Sequence, residues 1–197
     1  MDRRELVERA GRGDHDAFAV LATSAAARLD AAARLILRDG ELARDAVQDA
    51  LIRAWRDLPG LRDPDRFDAW LHRLLVNACL DIARRRRRRP IEVEISALGE
   101  PSTTVDEARR LADRDLVERA LARLDPEHRA LVVMHYYLGY PLPDAASSLG
   151  LSLPAAKSRL HRAMGALRRV LAVDPAAGVS SATAMDPVAS TEGGRQA

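Results

Sequence analysis

Apolar residues recur at three- and four-residue steps through most of this chain, the spacing that gathers them into one stripe of a helix. The clearest case is Arg66 to Arg89, where Phe67, Trp70, Leu71, Leu74, Leu75, Ala78, Cys79 and Ile82 form an apolar face. That helix runs into six consecutive arginines, Arg84 to Arg89, and Pro90 halts it, so an element buried on one side ends in a cationic tip. Upstream, a short helix is predicted over Asp2 to Ala10, broken by Gly11 and Gly13. A second begins on Asp14 as N-cap and carries Phe18, Leu21, Ala25, Leu29 and Ala32 toward Leu37, with Asp39-Gly40 ending it. A third runs from Glu41 to Asp57, turning Leu42, Ala46, Val47, Ala50, Leu51, Ala54 and Trp55 inward and Arg44, Asp45, Gln48, Asp49, Ile52, Arg53 and Arg56 outward. Pro59-Gly60 and Pro64 punctuate the loop before the arginine-tipped helix.

From Pro90 to Val105 the helical period disappears, and two prolines and a Ser-Thr-Thr cluster mark a linker. Extended at ~3.3 Å per residue, it spans on the order of 50 Å. The period returns from Asp106 to Leu124. A helix then opens on Asp125-Pro126 and runs to Leu138, a short one covers Asp144 to Leu149 and closes on Gly150, and a last one starts at Ser152 with Pro154 in its first turn. Leu160, Ala163, Met164, Leu167, Val170 and Leu171 face inward from it. The tail from Asp174 to Ala197 has little that could anchor it and is expected to be disordered. The fold class read from this pattern is all-α, with two small helical domains, 1–89 and 106–173, joined by the linker 90–105 and followed by the tail 174–197.

Composition supports that class, because aromatics make up only 4% of the 197 residues and no alternating strand-like segment occurs. The formal net charge of +2 conceals segregation: arginines crowd two helix ends, while Glu92, Glu94, Glu100, Asp106 and Glu107 lie between Ile91 and Ala108 without a basic residue. Lys157 is the single lysine. The arginine bias suits bidentate phosphate and guanine contacts, but a G+C-rich genome is the weightier explanation of it. With one cysteine, Cys79, on an apolar stripe, neither an intramolecular disulfide nor a cysteine-rich zinc site can form. No cofactor or metal is expected, no glycine-rich phosphate loop occurs, and no histidine has a convincing nucleophile or acid partner nearby in sequence, which argues against an enzyme. The N-terminus lacks a signal-peptide core and no eighteen apolar residues run together, so a cytoplasmic protein without membrane insertion is expected.

Three constellations carry candidate chemistry. Asp45, Gln48, Asp49 and Arg53 share one helix face and could meet a partner helix together. The arginine-tipped helix suits a polyanion. A short helix, a glycine-containing turn and a longer basic helix make a helix-turn-helix, with Lys157, Ser158, Arg159, His161 and Arg162 on the outer side of the helix that enters the major groove; His161 also has the option of packing beside Leu160.

The stretches ARDAVQDALIRAW, Ala43 to Trp55, and FDAWLHRLLVNACLDIARRRRR resemble region two of the extracytoplasmic-function sigma factors of bacterial RNA polymerase. The stretch from LARLDPEHRALVV through AKSRLHRA to RRVL is similar to region four, and the resemblance covers most of residues 1–172. It implies a sigma factor whose partners are core RNA polymerase, through the beta-prime clamp helices and beta flap, promoter DNA and an anti-sigma factor. It assigns Asp45, Gln48, Asp49 and Arg53 to polymerase docking. To the minus-ten element it assigns Arg62, Asp63, Asp65, Arg66, Arg73, Asn77 and Asp81, with Arg84, Arg85, Arg86, Arg87 and Arg88 on phosphates. To the minus-thirty-five element it assigns Ser152, Lys157, Ser158, Arg159, His161 and Arg162. The acidic linker is either a solvated spacer or, as implied for the family, an occupant of a cationic channel that later carries RNA. The chain departs from the family pattern at Arg44, usually acidic, at Leu51, usually aromatic, and at Pro154-Ala155, often Gly-Thr. The alternative reading is a free-standing helix-turn-helix repressor or activator; an adaptor resembling only the partner-binding half is a third.

Overall fold

The computed structural model describes residues 2–88 and 116–173, with the backbone alone for 170–173. The linker 90–105, the tail 174–197, Arg89 and the start of the helix expected from Asp106 lie outside the described residues. Those described fold as helices and turns only: α1 (Arg3–Gly11), α2 (His15–Leu37), α3 (Gly40–Asp57), α4 (Phe67–Arg88), α5 (116–122), α6 (Pro126–Val132), α7 (Leu142–Ser148) and α8 (Leu153–Val173).

Each start has a local cause. Asp14 accepts from the Ala17 amide at 3.0 Å and caps α2, as the sequence predicts, while Asp125 accepts from the His128 amide at 2.9 Å and caps α6 with Pro126 behind it. Asp39 accepts from the Glu41 and Leu42 amides, both at 3.1 Å, so it caps α3 and Gly40 opens that helix instead of closing α2. Closure of α2 falls to Arg38, a non-glycine residue at φ 58, whose amide bonds the Arg34 carbonyl. A Cβ at position 40 would lie 2.7 Å from Nη1 of Arg34, the end of a flexible side chain that can move aside, so position 40 does not require glycine. Replacing Asp39 with alanine should cost about 1 kcal/mol, read as a lower thermal midpoint, because two amide donors lose their acceptor. Asparagine should restore most of that loss, and an unchanged alanine variant would mean that the cap is idle.

Helix α6 is shorter than predicted. After Val132 the chain takes a π turn over Val133–Tyr137, closed by the Leu138 amide on the Val133 carbonyl at 2.9 Å, and the Tyr140 amide then bonds the Met134 carbonyl. The turn before α8 is closed by Gly150 at φ 66, where a side chain would be strained, and Ser152 Oγ accepts from the Ala155 amide at 3.4 Å.

Helices α1 to α4 pack on one another, and α8 closes over α6 and α7. Leu21, Leu29, Ile36, Phe67, Leu71, Leu75, Val76 and Cys79 are fully buried in the first group. Alanines 43, 46, 50 and 54 are the residues of α3 with no exposure, which lets α3 lie close against α4; Leu42, Val47, Leu51 and Trp55 are only half-buried. The apolar core is continuous into the second group, where Leu131, Val133, Met134, Ala145 and Ala156 join it. A smaller cluster holds Leu121, Leu124, Val132 and Ala163.

Candidate nucleic-acid and partner interfaces

On the outer side of α3, Asp45 and Gln48 are exposed and Asp49 is half-buried. Asp49 pairs with Arg53 at 2.7 Å, Arg53 reaches Asp81 of α4 at 3.7 Å, and Asp81 pairs with Arg84 at 2.8 Å. The four residues expected on one face do share it, and Arg53 is also the strut that ties this face to the candidate DNA helix. Beside Gln48 lies an apolar hollow of about 570 Å³ between α2 and α3, floored by Phe18, Val47, Leu51, Ile52 and Trp55. Trp55 is held there by stacking on His15 at 4.4 Å and by the edge of Phe18 at 5.1 Å. Sequence reasoning missed the hollow. Its one clue was Ile52, an isoleucine on the polar face of α3, which is 58% exposed.

The loop before α4 is two 3-10 turns, Leu58–Gly60 and Pro64–Arg66, so α4 begins at Phe67 and not Arg66. Two acidic residues expected at the minus-ten element have structural work here. Asp63 accepts from the Asp65 amide and lies 3.5 Å from Arg66, and Asp65 pairs with Arg4 at 2.6 Å. With the Arg3–Asp68 ion pair, these contacts pin the loop to α1. Along α4, Arg73 is exposed and Asn77 half-buried. Of the arginine run, Arg84 pairs with Asp81 and Arg86 with Asp39 at 3.2 Å. Arg62, Arg73, Arg85, Arg87 and Arg88 are exposed and make no ion pair with other described residues. Cys79 is packing: burial pushes its thiol up to about 12, far from a reactive thiolate.

Helices α7 and α8 form the expected helix-turn-helix. Ser152, Lys157, Ser158, His161 and Arg162 are exposed on or before α8, so His161 does not pack beside Leu160. Arg159 is tied back to Glu127 of α6 at 2.9 Å, and only 29% of its side chain is exposed. Arg162 has no carboxylate among the described residues; its Nε reaches only the Ser158 carbonyl, at 3.4 Å. No group of three or more His, Cys, Asp or Glu side chains among the described residues is placed to hold a metal ion, and no described helix is long and apolar enough to cross a membrane.

Residues 21–89 match the family description "Sigma-70 region 2", and residues 114–167 match "Sigma-70, region 4". The ECF RNA polymerase sigma factor SigM of Mycobacterium tuberculosis is 37% identical over 167 residues, covering 85% of this chain and 83% of that protein. The chain belongs to the ECF RNA polymerase sigma factors. SigL of the same species is 38% identical over 135 residues, covering 68% of this chain and 76% of SigL. Among solved structures, CnrH in complex with the cytosolic domain of CnrY has a TM-score of 0.63 at 32% identity, covering 87% of this chain and 98% of that one. RpoE of Bartonella quintana in complex with the anti-sigma factor NepR has a TM-score of 0.62 at 27% identity, covering 79% and 94%.

As a sigma factor, the chain binds core RNA polymerase and directs promoter-specific transcription initiation. Sigma factors are in general non-catalytic regulators. Most of α2 with α3 and α4 lies in region 2, and α6, α7 and most of α8 lie in region 4, so the candidate docking face of α3, the arginine-tipped helix and the helix-turn-helix each fall inside a matched region. A free-standing repressor or activator is not favoured, because it would leave the region 2 match without a role.

Proposed function

We propose that residues 1–89 dock on core polymerase and open the minus-ten element, that residues 106–173 read the minus-thirty-five element, and that 90–105 joins them. Docking rests on Asp45, Gln48, Asp49 and Arg53 on the outer side of α3, next to the apolar hollow of Ile52 and Trp55 that Gln48, Arg44 and Asp30 edge, a polar rim about an apolar centre of the kind protein partners use. Opening rests on Arg62, Arg66, Arg73 and Asn77, with Arg84 to Arg88 on phosphates. Asp63 and Asp81 contribute by holding Arg66 and Arg84 in place, and Asp65 by tying the loop to Arg4 of α1. The observation that carries this reading is the row of exposed arginines from the loop along α4 to its basic end, of which Arg62, Arg73, Arg85, Arg87 and Arg88 make no ion pair with other described residues.

In region 4, Arg162 is the free guanidinium best suited to a base edge, Lys157 and Ser158 suit phosphates, and Arg159 supports α8 through Glu127. CnrH is solved with the cytosolic domain of CnrY and RpoE with the anti-sigma factor NepR, which supports an anti-sigma protein as a partner of this chain; it works in the cytoplasm without catalysing a reaction.

Run-off transcription with core polymerase tests the whole. The chain should support initiation on a promoter template without nucleotide hydrolysis of its own, and Arg62→Ala with Arg66→Ala should lose it on duplex DNA and regain it on a pre-melted bubble. Arg162→Ala should relax discrimination at one minus-thirty-five base pair by about 1–3 kcal/mol. Uniform weakening across sequences would make Arg162 a phosphate contact, and unchanged melting by the loop variants would remove the minus-ten assignment.

A further inference from the structure

Leu58 and Phe67, each 2% exposed, anchor the two ends of the loop before α4, and no side chain between them is buried. Residues 59–66 therefore have no apolar anchor of their own. Their two 3-10 turns are closed by local bonds, from the Leu61 amide to the Leu58 carbonyl at 3.0 Å and from the Arg66 amide to the Asp63 carbonyl at 3.1 Å. Bonds of that range fix the internal shape of the loop. They do not fix its tilt against the helices.

The tilt is set from α1, a helix upstream of the residues 21–89 that match region 2. Leu6, Val7 and Ala10 bury its inner side, and it is fastened to α2 at both ends: Arg9 pairs with the capping Asp14 at 2.7 Å, and Arg3 Nη1 donates to Ser24 Oγ at 3.4 Å. From this fixed base two neighbouring guanidiniums reach across to the loop. Arg4 pairs with Asp65 at 2.6 Å, inside the second turn, and Arg3 pairs with Asp68 just past it while lying 5.8 Å over the Phe67 ring. The two carboxylates stand on either side of Arg66 in the sequence, so the pairs grip the segment that carries it.

We propose that Arg3 and Arg4 are positioning residues for promoter opening: from α1 they hold the loop at the tilt that presents Arg62 and Arg66 to the minus-ten strand. This rests on the minus-ten reading above. A loop already held in place loses little orientational freedom when the strand arrives, so capture of an emerging unpaired base is favoured over reclosure of the duplex. A template that is already melted gives the loop time to find its place and does not depend on that advantage. Exposure sets the size of the effect. One exposed ion pair biases an equilibrium by up to about fivefold, so two on one loop bias it by roughly tenfold.

The test is run-off transcription by the full chain with core polymerase. Arg3→Ala with Arg4→Ala should lower the yield from a duplex promoter by roughly tenfold, while capture of core polymerase and the yield from a pre-melted bubble stay unchanged. Both side chains are about half exposed, so the variant should fold. A helix that only stabilised the fold would lower all three readings together. The exchanged pair separates position from charge: Arg3→Asp alone should lower duplex initiation, and Asp68→Arg added to it should restore most of the loss, because the ion pair reforms with its signs reversed. Discrimination against single-base changes in the minus-ten element should weaken in the double alanine variant and return with the exchanged pair. Equal losses on duplex and bubble, or no recovery in the exchanged pair, would overturn the role of α1. Arg62→Ala with Arg66→Ala, measured alongside, keeps the two readings apart. If that variant loses duplex initiation while the Arg3 and Arg4 variant keeps it, the role of α1 alone falls; if it melts the duplex normally, the minus-ten reading falls and takes the role of α1 with it.

Discussion

Reversing the charge of Asp45 and Asp49 to lysine should abolish capture of core polymerase, a loss of at least a hundredfold in affinity. Asp45 is exposed, and Asp49 is partnered only within its own helix, by Arg53. An exposed pair of this kind adds on the order of 0–1 kcal/mol to folding, so the variant should keep its helical signal and melting temperature. At an interface the same two charges meet a fixed partner surface, where like charges cost several kcal/mol. Glu8→Lys on α1, away from the α3 face, serves as the control and should bind normally. Retained binding by the Asp45 and Asp49 variant would move the docking surface elsewhere. A melting temperature lowered together with binding would mean that Arg53, freed from Asp49, no longer braces Asp81.

Truncating Phe67 to alanine should cost about 3–5 kcal/mol of stability, the range for a fully buried aromatic. Phe67 is 2% exposed at the first position of α4, Trp70 stands 6.0 Å from its ring, and the Arg3 guanidinium lies 5.8 Å over it. A domain of this size has on the order of 5–15 kcal/mol in total, so the denaturation midpoint should fall by about a fifth or more. Phe67 directly follows the turn that carries Asp65 and Arg66, so duplex transcription should fall further than the loss of folded protein explains. Leucine at the position should recover most of the stability. A midpoint unchanged by alanine would mean that the loop is held by its ion pairs to Arg3 and Arg4 alone.

What the sequence made legible were features with a local cause. The stripe of α4 was correct from Phe67 through Cys79, the caps at Asp14 and Asp125 were correct, and so was the helix-turn-helix with its glycine at position 150. Errors arose where a neighbour decides. Gly40 reads as a helix terminator, but Asp39 has two amides to cap and hands the left-handed residue to Arg38. His72 lies off the apolar stripe of α4 and reads as solvated, yet Tyr140, 68 residues away, buries it. Arg129 reads as an ordinary basic residue until α2 brings it the Ile36 carbonyl. Arg159 and Arg162 are indistinguishable by spacing, and only Glu127 on another helix separates the tied arginine from the free one.

The π turn at Val133–Tyr137 places one extra residue ahead of the recognition helix. A π turn is an α-helical turn with one residue too many, and each residue of an α-helix advances the chain by ~100°. Deleting a single residue there would turn the bond from the Leu138 amide to the Val133 carbonyl into an ordinary α-helical one and restore the regular spiral, leaving α7, the Gly150 turn and the exposed side chains of α8 near their present orientation. The π turn therefore lets the chain carry one residue more than a regular helix needs without re-aiming the side chains of α8.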